Sequence, residues 1–161
     1  MTELFHAPWP AQIALSTLFI SLAVSVVTDL RRHLILNAVT FPALAVVLGC
    51  FYRLGGAGLV VEALIGSAVC VLPLLIGYAF KQMGAGDLKL MAVCGAVAGA
   101  ASGWPFAATV LLYVSVAGGV QAVLWLLAAK LLRRDRARAI PYGVAIAAGT
   151  ATAFLSGGVV F

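Results

Sequence analysis

Charge is the scarcest ingredient of this chain. Only 9% of its residues are Asp, Glu, Lys or Arg, and just five of the 161 are acidic. A soluble domain carries roughly 25% charged residues, so a water-facing surface cannot be assembled from this composition. With 64% hydrophobic residues and a mean hydropathy of +1.14, the sequence reads as an all-α, polytopic membrane helix bundle. A crossing helix uses about 20 apolar residues, so the length accommodates five to seven spans in a single membrane-embedded domain. No soluble domain fits beside them.

Cysteine and histidine are too sparse for a metal centre. Cys50, Cys70 and Cys94 fall within apolar runs, with no Cys-x-x-Cys and no nearby histidine cluster. They read as buried free thiols, neither a disulfide framework nor a zinc site. Met1 to Pro10 lacks a basic residue and the first apolar run has no small-residue cleavage site after it, so no cleavable signal peptide is expected. The net charge of +5 does not require nucleic acid, because basic residues in a membrane chain first encode topology.

Six apolar runs are present. The first reads Gln12 to Val27, the second Leu34 to Tyr52, closing at Arg53 and a Gly55–Gly58 turn. The third, Leu59 to Phe80, contains Pro73 and Gly77. The fourth, Leu88 to Ala101, is rich in Gly and Ala, and its Gly95 and Gly99 have the spacing that lets helix backbones approach closely. After a turn at Ser102–Pro105 come the fifth, Phe106 to Ala129, and the sixth, Ile140 to Phe161. Nine of the ten basic residues fall in alternate loops: Arg31 and Arg32; Lys81 and Lys89; Lys130, Arg133, Arg134, Arg136 and Arg138. Only Arg53 is on the other side. The positive-inside rule then puts these three loops in the cytoplasm and both termini outside it. Trp9 and Trp104 would lie at the outer interface and Trp125 near the inner one.

Two of the rare acids stand out against this frame. Asp29 ends the first run and Asp87 opens the fourth, so two separate helical hairpins deliver a carboxylate to the same cytoplasmic edge. An ionisable group at such a position is costly and by default points to function. Two aspartates meeting in a low-dielectric site share one proton. One carboxylate then activates a water while the other protonates a carbonyl. This aspartic-protease arrangement needs no metal and no cofactor. Gly84 and Gly86, flanking Ala85 before Asp87, can adopt positive φ and lack Cβ, so they would bend the loop and admit a substrate backbone.

Plainer roles exist for the same residues. Asp87 is a good N-cap for the run after it, and Asp29 could pair with Arg31 or Arg32. Lys89 reads as a topology anchor before a catalyst, His33 as a loop residue, and Lys130–Arg138 as a solvated face on anionic lipid.

The stretch Gly84-Ala85-Gly86-Asp87-Leu88-Lys89-Leu90 resembles the GxGDxKL loop of the type IV prepilin peptidases, membrane aspartyl proteases of the GxGD class. Asp29-Leu30-Arg31-Arg32-His33-Leu34-Ile35-Leu36-Asn37 resembles that family's first aspartate segment, with Leu36 where proline is usual. Asn37 would still cap the following helix. Ile140 to Gly149 resembles the last-span signature of the short members serving tight-adherence (Flp) pili. The resemblance implies Asp29 and Asp87 as the catalytic pair, Gly84 and Gly86 as shapers of the second aspartate's loop, and Lys89 and Asn37 as supporting candidates. It implies a bacterial inner-membrane endopeptidase that removes leaders from prepilins or pseudopilins at the cytoplasmic face. The cysteine-rich insert of the long members is missing, so no N-methyltransferase activity is expected. A signal-peptide-peptidase-like protease and a small proton-coupled transporter are the rivals. Acids clustered at one face favour hydrolysis over a relay, which would distribute them across the bilayer.

Overall fold

The computed structural model of the chain describes residues 8–32, 34–80, 83–131 and 142–157. Four helices follow one another: α1 (Trp9–Arg32), α2 (Asn37–Ala79), α3 (Ala85–Leu131) and α4 (Tyr142–Ser156). All regular structure among the described residues is helical. His33, Lys81, the basic residues from Arg133 to Arg138, and Ile140 with Pro141 lie outside the described residues.

α2 and α3 run to 43 and 47 residues, about twice a bilayer crossing, and each is broken once. Gly55 and Gly56 interrupt α2, with Gly56 at φ 64°; Ser102 and Gly103 interrupt α3, with Gly103 at φ 75°. Those left-handed values suit glycine, which has no Cβ to clash with the carbonyl. Pro105 then falls in the first turn of the resumed helix, where its missing N–H costs nothing.

Both breaks reverse the chain. Ser67 Oγ donates to the Ala92 carbonyl at 2.8 Å, and Cys70 Sγ, one turn further on, donates to the Ala107 carbonyl at 3.3 Å. An unbroken helix would hold residues 92 and 107 roughly 22 Å apart, so α3 folds back between them. Likewise Lys89 reaches Phe41 while Ala92 meets Ser67, although 41 and 67 would be roughly 39 Å apart in a straight α2. Among the described residues the helices thus form six segments, and the two breaks fall within the turns expected at Gly55–Gly58 and Ser102–Pro105. Three of the four helices are long and apolar enough to cross a membrane. With Ile20, Leu72, Leu112 and Leu124 exposed around the bundle, the chain is a membrane protein.

The segment 85–101 is the centre. From Leu90 to Ala101 every residue except Ala92 is buried, because its small side chains allow neighbours on all sides. A Cβ on Gly66 would meet the Gly95 carbonyl oxygen and, at 2.7 Å, the Gly99 Cα. Gly95 and Gly99 thus give the backbone contact their spacing foretells. Phe154 of α4 packs edge-on against Phe106 at 5.1 Å and Phe19 at 6.3 Å between ring centres, joining α4 to α3 and α1. Cys70 and Cys94 are buried, Cys50 is half-buried, and all three are free.

The topology gathers the C-terminal end of α1 and the N-terminal ends of α2, α3 and α4 at one end of the bundle. Arg31, Arg32 and Lys89 are there; Arg53, beside the Gly55–Gly56 reversal, is at the other.

Candidate functional site

The inward stripe of α1 runs Ala14, Leu18, Leu22, Ser25 and Asp29, all buried. Spaced three and four apart, these residues share one helix face. The periodicity that turns Leu18 and Leu22 into the core therefore turns Asp29 inward as well, while Arg31 and Arg32 stay exposed. Pairing with those arginines does not occupy Asp29. Its Oδ2 accepts a 2.7 Å hydrogen bond from the Gly143 N–H, buried and 114 residues away. Gly143 is the second residue of α4, where a backbone N–H has no intrahelical acceptor and the helix dipole favours a carboxylate.

Asp87 is the third residue of α3, three positions past Gly84, so it does not hold the N-cap position itself. Its Oδ2 accepts the Gly84 N–H at 3.0 Å, and its own N–H donates to the Gly84 carbonyl at 3.2 Å. An acid at the third helical position reaching back to the residue before the helix is half of a capping box. One oxygen of Asp87 is committed to that bond. Asp87 precedes the apolar run Leu88–Ala101 and is buried. Burial pushes its carboxyl up from 3.8 to about 6; the Gly84 N–H opposes this, and the charge of Asp29 adds to it. The charge of Asp29 thus reaches Asp87, as two hairpins converging on one edge require.

The flanking glycines work differently from expectation. Among the described residues the left-handed glycines are Gly56 and Gly103, so neither Gly84 nor Gly86 uses positive φ. The tight helical start from Ala85 makes a left-handed bend unnecessary. Gly86 matters instead for space: a Cβ there would sit 2.7 Å from the Ile35 Cβ and 3.2 Å from the Ile35 carbonyl oxygen. It lets the α1–α2 connection lie directly on the Asp87 turn. At Gly84 a Cβ would lie 3.3 Å from Asp87 Oδ2, within the space of the capping bond.

Asn37 does not cap α2. Leu36 holds the cap position with no side-chain hydrogen bond, and Asn37 is the first helical residue. Its Oδ1 accepts a 2.8 Å bond from Lys89 Nζ, which also lies 4.8 Å from the centre of the Phe41 ring. Lys89 and Asn37 therefore tie the start of α2 to the start of α3, beside Asp87.

The structure brings Asp29, Asp87, Gly84, Gly86, Lys89 and Asn37 to one end. It adds Gly143, which the sequence reading placed only within a terminal signature. Pro141 ahead of a small-residue run does signal a helix start; the distant acceptor of the Gly143 N–H leaves no local trace. Two buried carboxylates at one end of the bundle can split general-acid and general-base duties around a water. A sequence model described as the type IV leader peptidase family matches residues 16–123, a span that includes both aspartates. No curated protein and no solved structure gives a match.

Proposed function

We propose, from the premise that this chain belongs to the type IV leader peptidase family, that it is an aspartic endopeptidase with Asp29 and Asp87 as its catalytic pair. The observation that carries this reading is the convergence of two buried carboxylates, each already hydrogen-bonded through one oxygen to backbone N–H. Pinned in that way, each acid has its other oxygen for substrate or water.

Asp87, whose environment favours the protonated form, acts as the acid and hydrogen-bonds the scissile carbonyl. Asp29 acts as the base and takes a proton from the water as its oxygen attacks the carbonyl carbon. The tetrahedral intermediate then collapses as Asp29 passes that proton to the amide nitrogen and the C–N bond breaks, while Asp87 keeps its own. Neither carboxylate forms a covalent bond to the substrate, so each turnover returns the pair to a single shared proton.

The substrate in this reading is a prepilin or pseudopilin of the Flp type, with a short polar leader followed by an apolar helix. Six spans with both termini outside would set the Arg31, Arg32 and Lys89 end at the cytoplasmic face of a bacterial inner membrane. A leader–helix junction lies at that depth, which supports the assignment. Co-expression with such a substrate tests it: the wild type shortens the substrate on a gel, and Asp29→Asn and Asp87→Asn each abolish the shift. Normal processing by either variant would remove that residue from the mechanism.

A further inference from the structure

The carboxylate pair alone leaves α4 without a part in the chemistry, yet α4 makes the buried hydrogen bond to Asp29. We propose that Gly143 is the positioning residue for Asp29, its N–H fixing Oδ2 so that Oδ1 is the oxygen offered to water. The inference rests on the aspartic-peptidase reading and extends it to a third element.

Three observations carry it. The bond from Gly143 is 2.7 Å and buried, a charge-assisted contact from the open end of a helix. A side chain here would push Asp29 aside: a Cβ at 143 would stand 2.8 Å from Asp29 Oδ2, 3.2 Å from its Cβ and 3.4 Å from its Cγ. Only glycine brings the backbone amide this close. The donor is also held independently of the acceptor, because α4 is anchored further along on α3, by Gly149 against the Val114 backbone and by Phe154 against Phe106. A fixed donor selects one rotamer of an otherwise mobile carboxylate, and placement within about 1 Å is worth on the order of 100-fold in rate.

Two glycines at opposite ends of the bundle provide the test. In the full chain, purified in lipid nanodiscs and assayed on a leader-bearing prepilin, Gly143→Ala should lower kcat by about 100-fold while KM stays within about threefold. Gly103→Ala, which forces an L-residue into the left-handed turn far from Asp29, should lower the melting temperature while kcat per folded molecule stays within about threefold of wild type. Wild-type kcat in Gly143→Ala overturns the proposal, as does an equal loss of kcat in Gly103→Ala. Should Gly143→Ala not accumulate folded, the Gly143 amide proton resonance decides. It should lie downfield in the wild type and move upfield in Asp29→Ala; an unmoved resonance overturns the proposal. That resonance reads the Gly143–Asp29 bond whether or not the protein cleaves a leader, so failure of the peptidase reading is seen separately as a wild type that processes nothing.

Discussion

Lys89 Nζ donates a 2.8 Å hydrogen bond to Asn37 Oδ1 while lying 4.8 Å from the Phe41 ring centre, so the cation beside Asp87 is committed to α2. This arrangement separates support from catalysis. The bond is exposed, where hydrogen bonds and cation–π contacts contribute about 0.5–1.5 kcal/mol each. Lys89→Met and Asn37→Ala should each lower processing less than about tenfold, with the double variant little worse than either alone. Abolition of cleavage by Lys89→Met, with the protein still folded, would give Lys89 a direct chemical role.

The raised carboxyl of Asp87 makes a signed prediction for activity. If Asp87 must be protonated to act as the acid, kcat/KM should fall as pH rises through about 6, because kcat/KM reports the free enzyme's ionisations. A profile flat from pH 5 to 8 would take the proton-holding role away from Asp87.

Stability carries the same sign. The folded state holds the Asp87 proton up to about 6, whereas an ordinary aspartate releases it near 3.8. Between those values the native state binds more protons than the unfolded one, so this contribution to stability is greatest in acid and is lost as pH rises through the window. Asp87→Asn removes the titration and can still accept the Gly84 N–H. It should melt higher than the wild type at pH 7 while being inactive, by an amount equivalent to about 1–3 kcal/mol. A variant that melts lower at pH 7 and higher at pH 4 would reverse the sign and contradict the assigned burial.

How far the sequence discloses this molecule depends on the range over which each feature is encoded. Asp29 was legible because helical periodicity carries it inward with Leu18 and Leu22. Asp87 was legible because its acid opens an apolar run. The reversals at Gly55–Gly56 and Ser102–Gly103 were legible because glycine and proline act locally. What stayed hidden depends on distant partners. Gly86 is a glycine because Ile35 lies against it; Asn37 faces Lys89 rather than its own helix end; and Gly143 meets an acceptor on α1. No local pattern announces a contact made across 114 residues.

The glycine contacts in the core predict opposite outcomes for one substitution at two places. Gly66→Ala sets a Cβ against backbone atoms of Gly95 and Gly99, and backbone cannot swing aside as a side chain can. Overpacking of this kind costs about 1–3 kcal/mol. Gly49, on the same α2, has nothing within 4 Å of its would-be Cβ. There alanine should stabilise the helix by about 0.5–1 kcal/mol. Thermal unfolding of the two variants in one lipid composition checks the pair; equal shifts would mean that α2 and α3 do not touch through their backbones at Gly66.

The reversal at Gly103 offers the last contrast, since its constraint is conformational rather than steric. A Cβ there would find only Pro105 Cδ at 3.5 Å, ordinary contact, but the φ of 75° is left-handed. With ψ at −178° the position lies outside the left-handed helical well, in a region essentially confined to glycine, where an L-residue costs roughly 1–3 kcal/mol. Gly103→Ala and Gly103→Asn should therefore both lower the melting temperature. The turn lies at the end of the bundle away from Asp29 and Asp87, so both variants should process substrate normally per folded molecule. An unchanged melting temperature in Gly103→Ala would mean that the turn does not hold its backbone at that angle.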